Sequence, residues 1–224
     1  MRPAPVAVVQ ARMSSTRLPG KVLADLGGRP VLEWVVSRLR ASRELAGVVV
    51  ATSDDPGDDP VAEAAPARVV RGPLADVLGR YAIAARELDF EGLVRITADC
   101  PVIDPAVVDE VVAAWRAGEA DYVTNVIEPR TFPVGMDTEV VTAEALLAAD
   151  TEATDPYDRE HVTPFVRSRP ERFPQGAVTL DPPRPDVRLT LDTAEDLEHL
   201  RAVVGATGPD ASLAELVAAA DALA

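Results

Sequence analysis

The sequence is poor in sulfur, in aromatic side chains and in basic residues. Its one cysteine, Cys100, excludes an intramolecular disulfide and a cysteine-based zinc cluster. No apolar run reaches the roughly 18–20 residues that a membrane-spanning helix needs. No signal-peptide pattern follows Met1. We therefore expect a cytoplasmic protein with no membrane partner.

The shortage of basic residues leaves 22 lysines and arginines against 37 aspartates and glutamates, a formal charge of −15. Such a surface repels nucleic acid and anionic membranes, so we expect neither as a partner. Hydrophobic residues make up 47% of the 224 residues, which is enough to close the core of a globular protein. A local basic cluster is informative against this background, because the overall field opposes an anionic substrate.

Short apolar runs alternate with segments of helical period along the chain. Strands are predicted at 6–9, 48–52, 69–70, 93–98, 122–126, 138–142, 178–180 and 187–191, and helices at 30–39, 74–88, 105–117, 143–149, 156–168, 193–204 and 212–223. This alternation predicts an α/β fold with a mostly parallel central sheet and helices on both faces. The Asp-, Pro- and Gly-rich residues 53–60 are predicted as a loop.

The loop after the first predicted strand, residues 10–21, gathers positive charge. Arg12, Arg17 and Lys21 can donate charge-assisted hydrogen bonds to a triphosphate, and the small hydroxyl residues between them let backbone amides approach it. Neither standard glycine-rich phosphate motif is present, since Gly20 is the one glycine of the loop. A solvated basic loop is the alternative interpretation.

Two aspartates follow predicted strands, at the edge of a parallel sheet where ligands bind. Asp99 comes after the strand at 93–98, and Asp192 after the strand at 187–191. Both can hold Mg²⁺, which takes one or two carboxylates together with phosphate oxygens and water. In the alternative interpretation, Asp99 is a turn residue and Asp192 is the N-cap of the following helix, with Glu195 at N3.

Two polar clusters in the second half of the chain are candidates for binding a second substrate. Asp137 and Glu139 share one face if this segment is a strand, and can bind hydroxyl groups. Arg159 and His161 lie near a predicted helix start, where the histidine can bind an anion or act as a base. Solvated surface positions are the alternative for both clusters.

The basic loop, the two aspartate segments and the two polar clusters resemble the corresponding parts of the SpsF-like cytidylyltransferases (the spore coat polysaccharide biosynthesis type). These enzymes are relatives of the KDO and N-acylneuraminate cytidylyltransferases. The resemblance starts with VVQARMSSTRLPGKVLADLGGRPVLEWVVSRL and continues in order through RGPLADVLGRY, RITADCPVIDP, FPVGMDTEVVTAEAL, REHVTPFV and RLTLDTAEDL. It implies a Rossmann-like nucleotide-diphospho-sugar transferase (GT-A type) fold, with residues 1–224 as a single nucleotidyltransferase domain.

The resemblance also implies a reaction: Mg²⁺-dependent activation of a sugar acid or related acceptor with CTP, and release of pyrophosphate. The implied nucleotide ligands are Ala11, Arg12, Ser15, Arg17, Lys21, Arg71, Gly72 and Asp76, the last of them in a segment, 72–80, that helps enclose the nucleoside. The implied metal ligands are Asp99 and Asp192, the catalytic residues Lys21, Arg17 and Asp99, and the acceptor ligands Asp137, Glu139, Arg159 and His161.

CTP and a small anionic or polyol acceptor are the implied partners, together with a second copy of the chain. The irregular region 122–168 is expected to serve the acceptor and a homodimer contact. Three alternatives stay open: a glycosyltransferase with a nucleotide-sugar donor, a cytidylyltransferase acting on a phosphonate, and a non-catalytic nucleotide-binding subunit. The Asp-x-Asp pair usual at the metal of such glycosyltransferases is missing at Asp99, because residue 101 is Pro.

Overall fold

The structure, a computed structural model, describes residues 1–223, so residue 224 of the predicted domain lies outside it. The strands of this part of the chain are β1 (Val6–Gln10), β2 (Asp25–Leu26), β3 (Arg29–Pro30), β4 (Gly47–Ser53), β5 (Arg68–Gly72), β6 (Gly92–Thr97), β7 (Tyr122–Thr124), β8 (Glu139–Thr142) and β9 (Gln175–Ala177). The helices are α1 (Val31–Arg40), α2 (Asp59–Ala64), α3 (Val77–Leu88), α4 (Pro105–Ala117), α5 (Ala143–Glu152), α6 (Pro156–His161), α7 (Pro164–Arg167), α8 (Ala194–Thr207) and α9 (Leu213–Leu223). Two 3-10 turns lie at Lys21–Leu23 and Pro56–Asp58.

Seven of the strands form one sheet in the order β5-β4-β1-β6-β8-β7-β9. The pairs β5–β4, β4–β1, β1–β6 and β7–β9 are parallel, whereas β8 runs antiparallel to both of its neighbours. The remaining strands, β2 and β3, form a small ribbon. The predicted α/β fold with a mostly parallel central sheet is confirmed.

Helices cover both faces of the sheet, as predicted. Successive residues of β1 enter opposite cores: Ala7 and Val9 pack on one face, Val6 and Val8 on the other. The first core is closed by α1, α4, α8 and α9, and the second by α3, α5 and α7. Within residues 1–223 no helix has both the length and the apolar character to cross a bilayer.

The carboxyl ends of β1 and β6 lie side by side and define the edge at which the site forms. Gln10 is the register partner of Thr97, and the backbone amide of Ala98 donates to the carbonyl of Gln10 at 3.0 Å. The basic loop after β1 therefore begins next to the segment that carries Asp99.

The C-terminal part of the sheet differs from the prediction. The strand lies at Gln175–Ala177 instead of 178–180, and residues 187–191 form no strand. This segment divides its backbone hydrogen bonds between two loops: the Leu189 amide donates to Val134, and the Leu191 amide donates to Asp99. Because no single strand accepts these bonds, no ladder forms beyond one isolated bridge. The segment nevertheless brings Asp192 next to Asp99.

Several other boundaries differ as well, among them the helix predicted at 156–168, which is divided into α6 and α7, and local hydrogen bonds explain two of these differences. The helix predicted at 74–88 begins at Val77, since the side chain of Asp76 accepts from the Gly79 amide at 2.9 Å and caps it. The predicted loop 53–60 contains the 3-10 turn and the start of α2. The strand predicted at 122–126 ends at Thr124, whose hydroxyl accepts from the Val126 amide.

Substitution of Gly92 by alanine tests the packing of this sheet. A Cβ at Gly92 would lie 2.6 Å from Cζ2 of Trp115, a rigid and fully buried ring on α4. We expect Gly92→Ala to lower the free energy of unfolding by about 1–3 kcal/mol through overpacking, as measured by urea denaturation.

Gly47, the first residue of β4, is the matched control, because nothing lies within 4 Å of a Cβ built there. Gly47→Ala should be neutral or stabilise the protein by up to about 1 kcal/mol. Equal losses in the two variants would contradict the described contact between β6 and α4.

Candidate active site

A cavity of about 730 Å³ opens at the carboxyl edge of the sheet. One wall is the loop that follows β1, and the opposite wall is formed by Thr97 to Asp99 after β6. His161 and Asp192 complete the lining. The cavity thus brings together cationic and acidic side chains from the two ends of the chain.

Lys21 lies at the centre of this lining and is the one lysine in the 224 residues. Its Nζ donates to Asp99 Oδ2 at 3.1 Å, to Asp192 Oδ1 at 3.0 Å and to the carbonyl of Leu191 at 2.7 Å. The side chain is 13% exposed, so these ion pairs are only partly screened by water. The ammonium therefore joins the two aspartates that were predicted to bind metal.

Asp192 receives two further cations. Arg17 Nη2 lies 2.8 Å from its Oδ1, and Arg188 Nη2 lies 2.7 Å from its Oδ2. Burial alone would raise the pKa of the Asp192 carboxyl, but the Lys21 hydrogen bond and the surrounding positive charges bring that pKa below its ordinary value. Asp192 is consequently a carboxylate with several cationic partners at the mouth of the cavity.

The interpretation of Asp192 as a helix cap is wrong. The N-cap of α8 is Thr193, whose hydroxyl accepts from the Asp196 amide, and the Asp196 carboxylate accepts from the Thr193 amide in return. The capping box is therefore shifted by one residue from the predicted one, with Asp196 at N3 instead of Glu195. The shift leaves the Asp192 carboxylate free to face Lys21.

The loop after β1 is held in shape by contacts from within and from the 3-10 turn at Pro56–Asp58. Gly20 has φ +72°, which places it in the left-handed region, and its amide donates to the Met13 carbonyl at 2.9 Å. The Met13 amide in turn donates to the buried carboxylate of Asp58 at 2.6 Å. Sequence reasoning missed Asp58, because it is one of several aspartates in 53–60 and no pattern distinguishes it.

The predicted nucleotide ligands divide into two groups. Ala11, Arg12, Ser15, Arg17 and Lys21 all line the cavity, and within the described part of the chain Arg12 makes no ion pair. Arg71, Gly72 and Asp76 do not line it. Their assignment to the nucleotide stays a prediction.

The two charged side chains of that second group, Arg71 and Asp76, are bonded to other parts of the protein. Arg71 donates to the carbonyls of Ser53 and Asp55 and pairs with Asp59 at 2.7 Å. Asp76, predicted for the nucleotide, and Arg159, predicted for the acceptor, form a bidentate ion pair with each other. Burial would raise the pKa of Asp76, but the Arg159 hydrogen bonds lower it overall. The Asp76–Arg159 pair fastens α3 to α6.

The other three predicted acceptor ligands lie together around a smaller cavity of about 140 Å³. It is lined by Asp137, Glu139 and His161, and also by Arg95 and Arg167, which sequence reasoning did not select. His161 lines the large cavity as well and therefore lies where the two meet. The two cavities are arranged as neighbouring subsites.

Glu139 is buried, and both of its carboxylate oxygens accept hydrogen bonds from protein donors. Arg95 Nη1 lies 2.5 Å from its Oε2, while the hydroxyls of Tyr122 and Thr163 both donate to its Oε1. Burial raises the pKa of this carboxyl, but the Arg95 charge and the donated hydrogen bonds outweigh it and lower that pKa. Direct binding of an acceptor by Glu139 stays a prediction; the structure gives it the role of holding Arg95 at the cavity wall.

Together the cations and carboxylates of the large cavity suit a polyphosphate. Three basic side chains from one loop can neutralise several phosphate oxygens, and small residues leave backbone amides within reach. Two aspartates on the opposite wall, Asp99 and Asp192, supply the oxygen ligands that a divalent cation takes alongside phosphate. The lining therefore fits a nucleoside triphosphate with a divalent cation.

Comparison with known proteins identifies a family and relatives that match half of this chain or more. The family model described as Cytidylyltransferase matches residues 6–218. The spore coat polysaccharide biosynthesis protein SpsF of Bacillus subtilis (strain 168) is 35% identical over 225 aligned positions, which cover 94% of this chain and 91% of that protein. A 3-deoxy-manno-octulosonate cytidylyltransferase of Anaeromyxobacter sp. (strain K) is 37% identical over 113 positions, 50% of this chain and 47% of that protein.

A solved structure agrees with these sequence matches. The structure of a cytidylyltransferase from Leptospira borgpetersenii serovar Hardjo-bovis (strain JB197) superposes with a TM-score of 0.91 at 33% identity. The superposition covers 98% of this chain and 95% of that chain. The predicted resemblance is confirmed.

Replacing Glu139 by glutamine tests whether this carboxylate holds Arg95. Because Glu139→Gln leaves the guanidinium without its counter-charge at a largely buried position, we expect the free energy of unfolding at pH 7 to fall by about 3 kcal/mol. Urea denaturation measures the loss. Glu152→Gln, which removes the carboxylate of an exposed pair with Arg172, is the control and should leave stability unchanged.

The difference in the free energy of unfolding between wild type and Glu139→Gln should also depend on pH. The folded-state pKa of Glu139 is depressed, so its contribution is complete above the ordinary carboxyl pKa of about 4.3 and is lost as pH falls through the depressed value. The two unfolding curves should therefore converge in acid. A difference that persists unchanged there would contradict the ion pair.

Proposed function

The chain belongs to the cytidylyltransferase family, and from that we propose that it transfers CMP from CTP to a hydroxyl group of a sugar acid, with release of pyrophosphate. Family membership makes it a CTP-dependent nucleotidyltransferase. The glycosyltransferase and the non-catalytic subunit lose their support for the same reason. The observation that carries the proposal is the position of Lys21 between Asp99 and Asp192 in a cavity lined by Arg12 and Arg17.

The basic loop is proposed to bind the triphosphate. In the reaction a bond forms between the acceptor oxygen and the α-phosphorus, and the bond from that phosphorus to the bridging oxygen of the β-phosphate breaks. Negative charge then grows on the departing pyrophosphate. Arg12, Arg17 and Lys21 supply fixed positive charge where it grows, which lowers the barrier without any covalent protein nucleophile.

Asp99 and Asp192 are the residues that would hold Mg²⁺. Within residues 1–223 no group of three or more His, Cys, Asp or Glu side chains is close enough to bind a metal by itself. A pair of carboxylates on the wall of a phosphate cavity nevertheless fits Mg²⁺, because this ion usually keeps waters and takes phosphate oxygens as further ligands. When bound, it would withdraw charge from the α-phosphate and lower the pKa of the acceptor hydroxyl.

The smaller cavity is proposed to bind the acceptor. Arg167, which makes no ion pair within residues 1–223, gives it positive charge for a carboxylate. Asp137 pairs with Arg130 at 2.5 Å, and its remaining lone pairs can accept from a hydroxyl group. His161, where the two cavities meet, lies between the proposed nucleotide and acceptor sites and is the candidate to accept the hydroxyl proton. The relative named a 3-deoxy-manno-octulosonate cytidylyltransferase acts on an acceptor of this chemical class, which favours a sugar acid over a phosphonate.

Three further statements belong to the same proposal. Residues 1–224 act as one nucleotidyltransferase domain, and the proposed substrate CTP, a metabolite of the cytoplasm, supports a cytoplasmic location. The region 122–168 contributes to a homodimer as well as to the acceptor site.

A pyrophosphate-release assay tests the proposed function. The four nucleoside triphosphates are each combined with a panel of sugar acids and hydroxylated phosphonates, with Mg²⁺ or with EDTA. We expect release with CTP, with Mg²⁺ and with a sugar acid, and none with EDTA. Release with no acceptor dependence, or with a phosphonate alone, would contradict the proposed acceptor.

Replacing the one lysine is the sharpest mutational test. Lys21→Ala removes a preorganised cation from the phosphate site, so we expect kcat/KM for CTP to fall by about 10²–10³-fold. Arg68→Ala removes an exposed arginine of β5, paired with Glu87, and should leave kcat/KM unchanged. Unchanged turnover in Lys21→Ala, with unfolding curves showing a folded protein, would contradict the assignment.

A further inference from the structure

A third cavity, of about 160 Å³, adjoins the proposed triphosphate site. It shares Gln10, Ala11, Arg12 and His161 with the large cavity. Its other wall comes from α3, through Val77 and Arg80, and Glu160 closes it. The two cavities are therefore continuous at the end of β1.

Arg80 is the unusual residue of this third cavity. It is 2% exposed, yet its Nε and Nη1 are buried with no hydrogen-bond partner within the described residues. Burial also lowers the pKa of its guanidinium. A buried cation without partners is unfavourable unless a ligand supplies the acceptors, so the arginine indicates an occupant of the cavity.

Gly72 leaves room for Arg80 in this position, because it has no side chain. A Cβ at Gly72 would lie 3.0 Å from Arg80 Cγ and 2.8 Å from Ile83 Cδ1. The close approach of β5 to α3 therefore fixes the stem of the arginine. The guanidinium is held at the wall of the cavity rather than free to fold back into solvent.

Gln10 contributes the second unsatisfied group. Its Oε1 is buried without a partner in the described part of the chain, and its side chain lines the same cavity. The cavity thus presents N–H donors from an arginine and a free amide acceptor from a glutamine. An occupant that satisfies both must carry hydrogen-bond acceptors together with an N–H donor.

Resting on the proposed function, we propose that Arg80 and Gln10 bind the pyrimidine edge of the nucleotide and select cytosine over uracil. Cytosine presents acceptors at O2 and N3 and a donor at its N4 amino group, which matches the cavity. Uracil has N–H at position 3, so an arginine donor facing it meets a second donor. A site built on such hydrogen bonds discriminates because the wrong base leaves buried groups unpaired.

Equilibrium titration calorimetry with three ligands tests this inference: CTP, UTP and inorganic tripolyphosphate, which lacks a base. Wild type should bind CTP more tightly than UTP. Arg80→Met should reduce that preference by about 5- to 150-fold and leave the affinity for tripolyphosphate unchanged. The unfolding midpoint of the free variant should not fall, because the substitution removes an unpartnered buried charge while conserving much of the side-chain volume.

Two more variants complete the experiment. Arg86→Met changes an exposed arginine of the same helix, paired with Asp150, and should keep the wild-type preference for CTP. Gln10→Leu should also weaken CTP binding without affecting tripolyphosphate. It tests the inference independently of Arg80.

Two results would overturn the inference: an unchanged ratio of CTP to UTP affinity in both Arg80→Met and Gln10→Leu, or an equal loss of tripolyphosphate affinity, which would assign Arg80 to a phosphate group. Failure of the transferase proposal gives a different pattern. Selective CTP binding that depends on Arg80, with no pyrophosphate release for any acceptor, would remove the reaction and keep the base selection.

Discussion

The bonds of one ammonium group, Lys21 Nζ, connect three distant parts of the chain. Its carboxylate partners, Asp99 and Asp192, lie 78 and 171 positions further along the sequence. The parallel sheet makes this possible, because the ends of β1 and β6 are adjacent and the extended segment before α8 returns to the same edge. In the proposed function, a triphosphate entering the cavity competes with the two carboxylates for the ammonium. Its binding therefore exchanges one set of charge pairs for another.

Ion pairing of scarce cations is also found in the rest of the protein. A chain with a formal charge of −15 has few cations, and many of its arginines make ion pairs, as Arg95 does with Glu139 and Arg159 with Asp76. Within residues 1–223, Arg12 and Arg80 make no ion pair, and both line cavities at the end of β1. Two of the arginines that make no ion pair in this part of the chain, Arg12 and Arg80, thus lie where we place the nucleotide. The acidic surface makes this local arrangement necessary, since the overall field repels an anionic substrate.

Much of the fold follows from local patterns in the sequence. The Val-rich run of β1 predicts a strand buried on both faces, and Asp104 before Pro105 predicts the N-cap of α4, which the structure confirms. Residues 187–191 have the composition of a strand, but their amides find carbonyls in two loops, and no sequence pattern contains those loops. Local sequence patterns predict helices and strands well, but they do not predict which distant segments will bond to them.

The candidate site also has some features that local sequence patterns predict and others that they do not. The basic loop was recognisable because charged and small residues are contiguous there, whereas Asp58 was not, because its role depends on the Met13 amide 45 positions earlier. The alternative interpretation of Asp192 assigns it a helix cap that belongs to Thr193, a difference of one residue that only cap geometry resolves. Asp76 and Arg159 carry charges suited to a ligand but satisfy each other. Pairing between distant side chains is the information that sequence patterns lack.

The presence of a single lysine permits a direct measurement of the central claim. An amine-directed acylating reagent can modify one ε-amine in this chain, and mass spectrometry of the peptide containing Lys21 gives the rate. We expect CTP to slow modification of Lys21 in proportion to the occupied fraction of the site, while modification of the N-terminal amine continues at its original rate. If saturating CTP leaves the rate at Lys21 unchanged, the triphosphate does not bind between this lysine and the two aspartates, and the account is wrong.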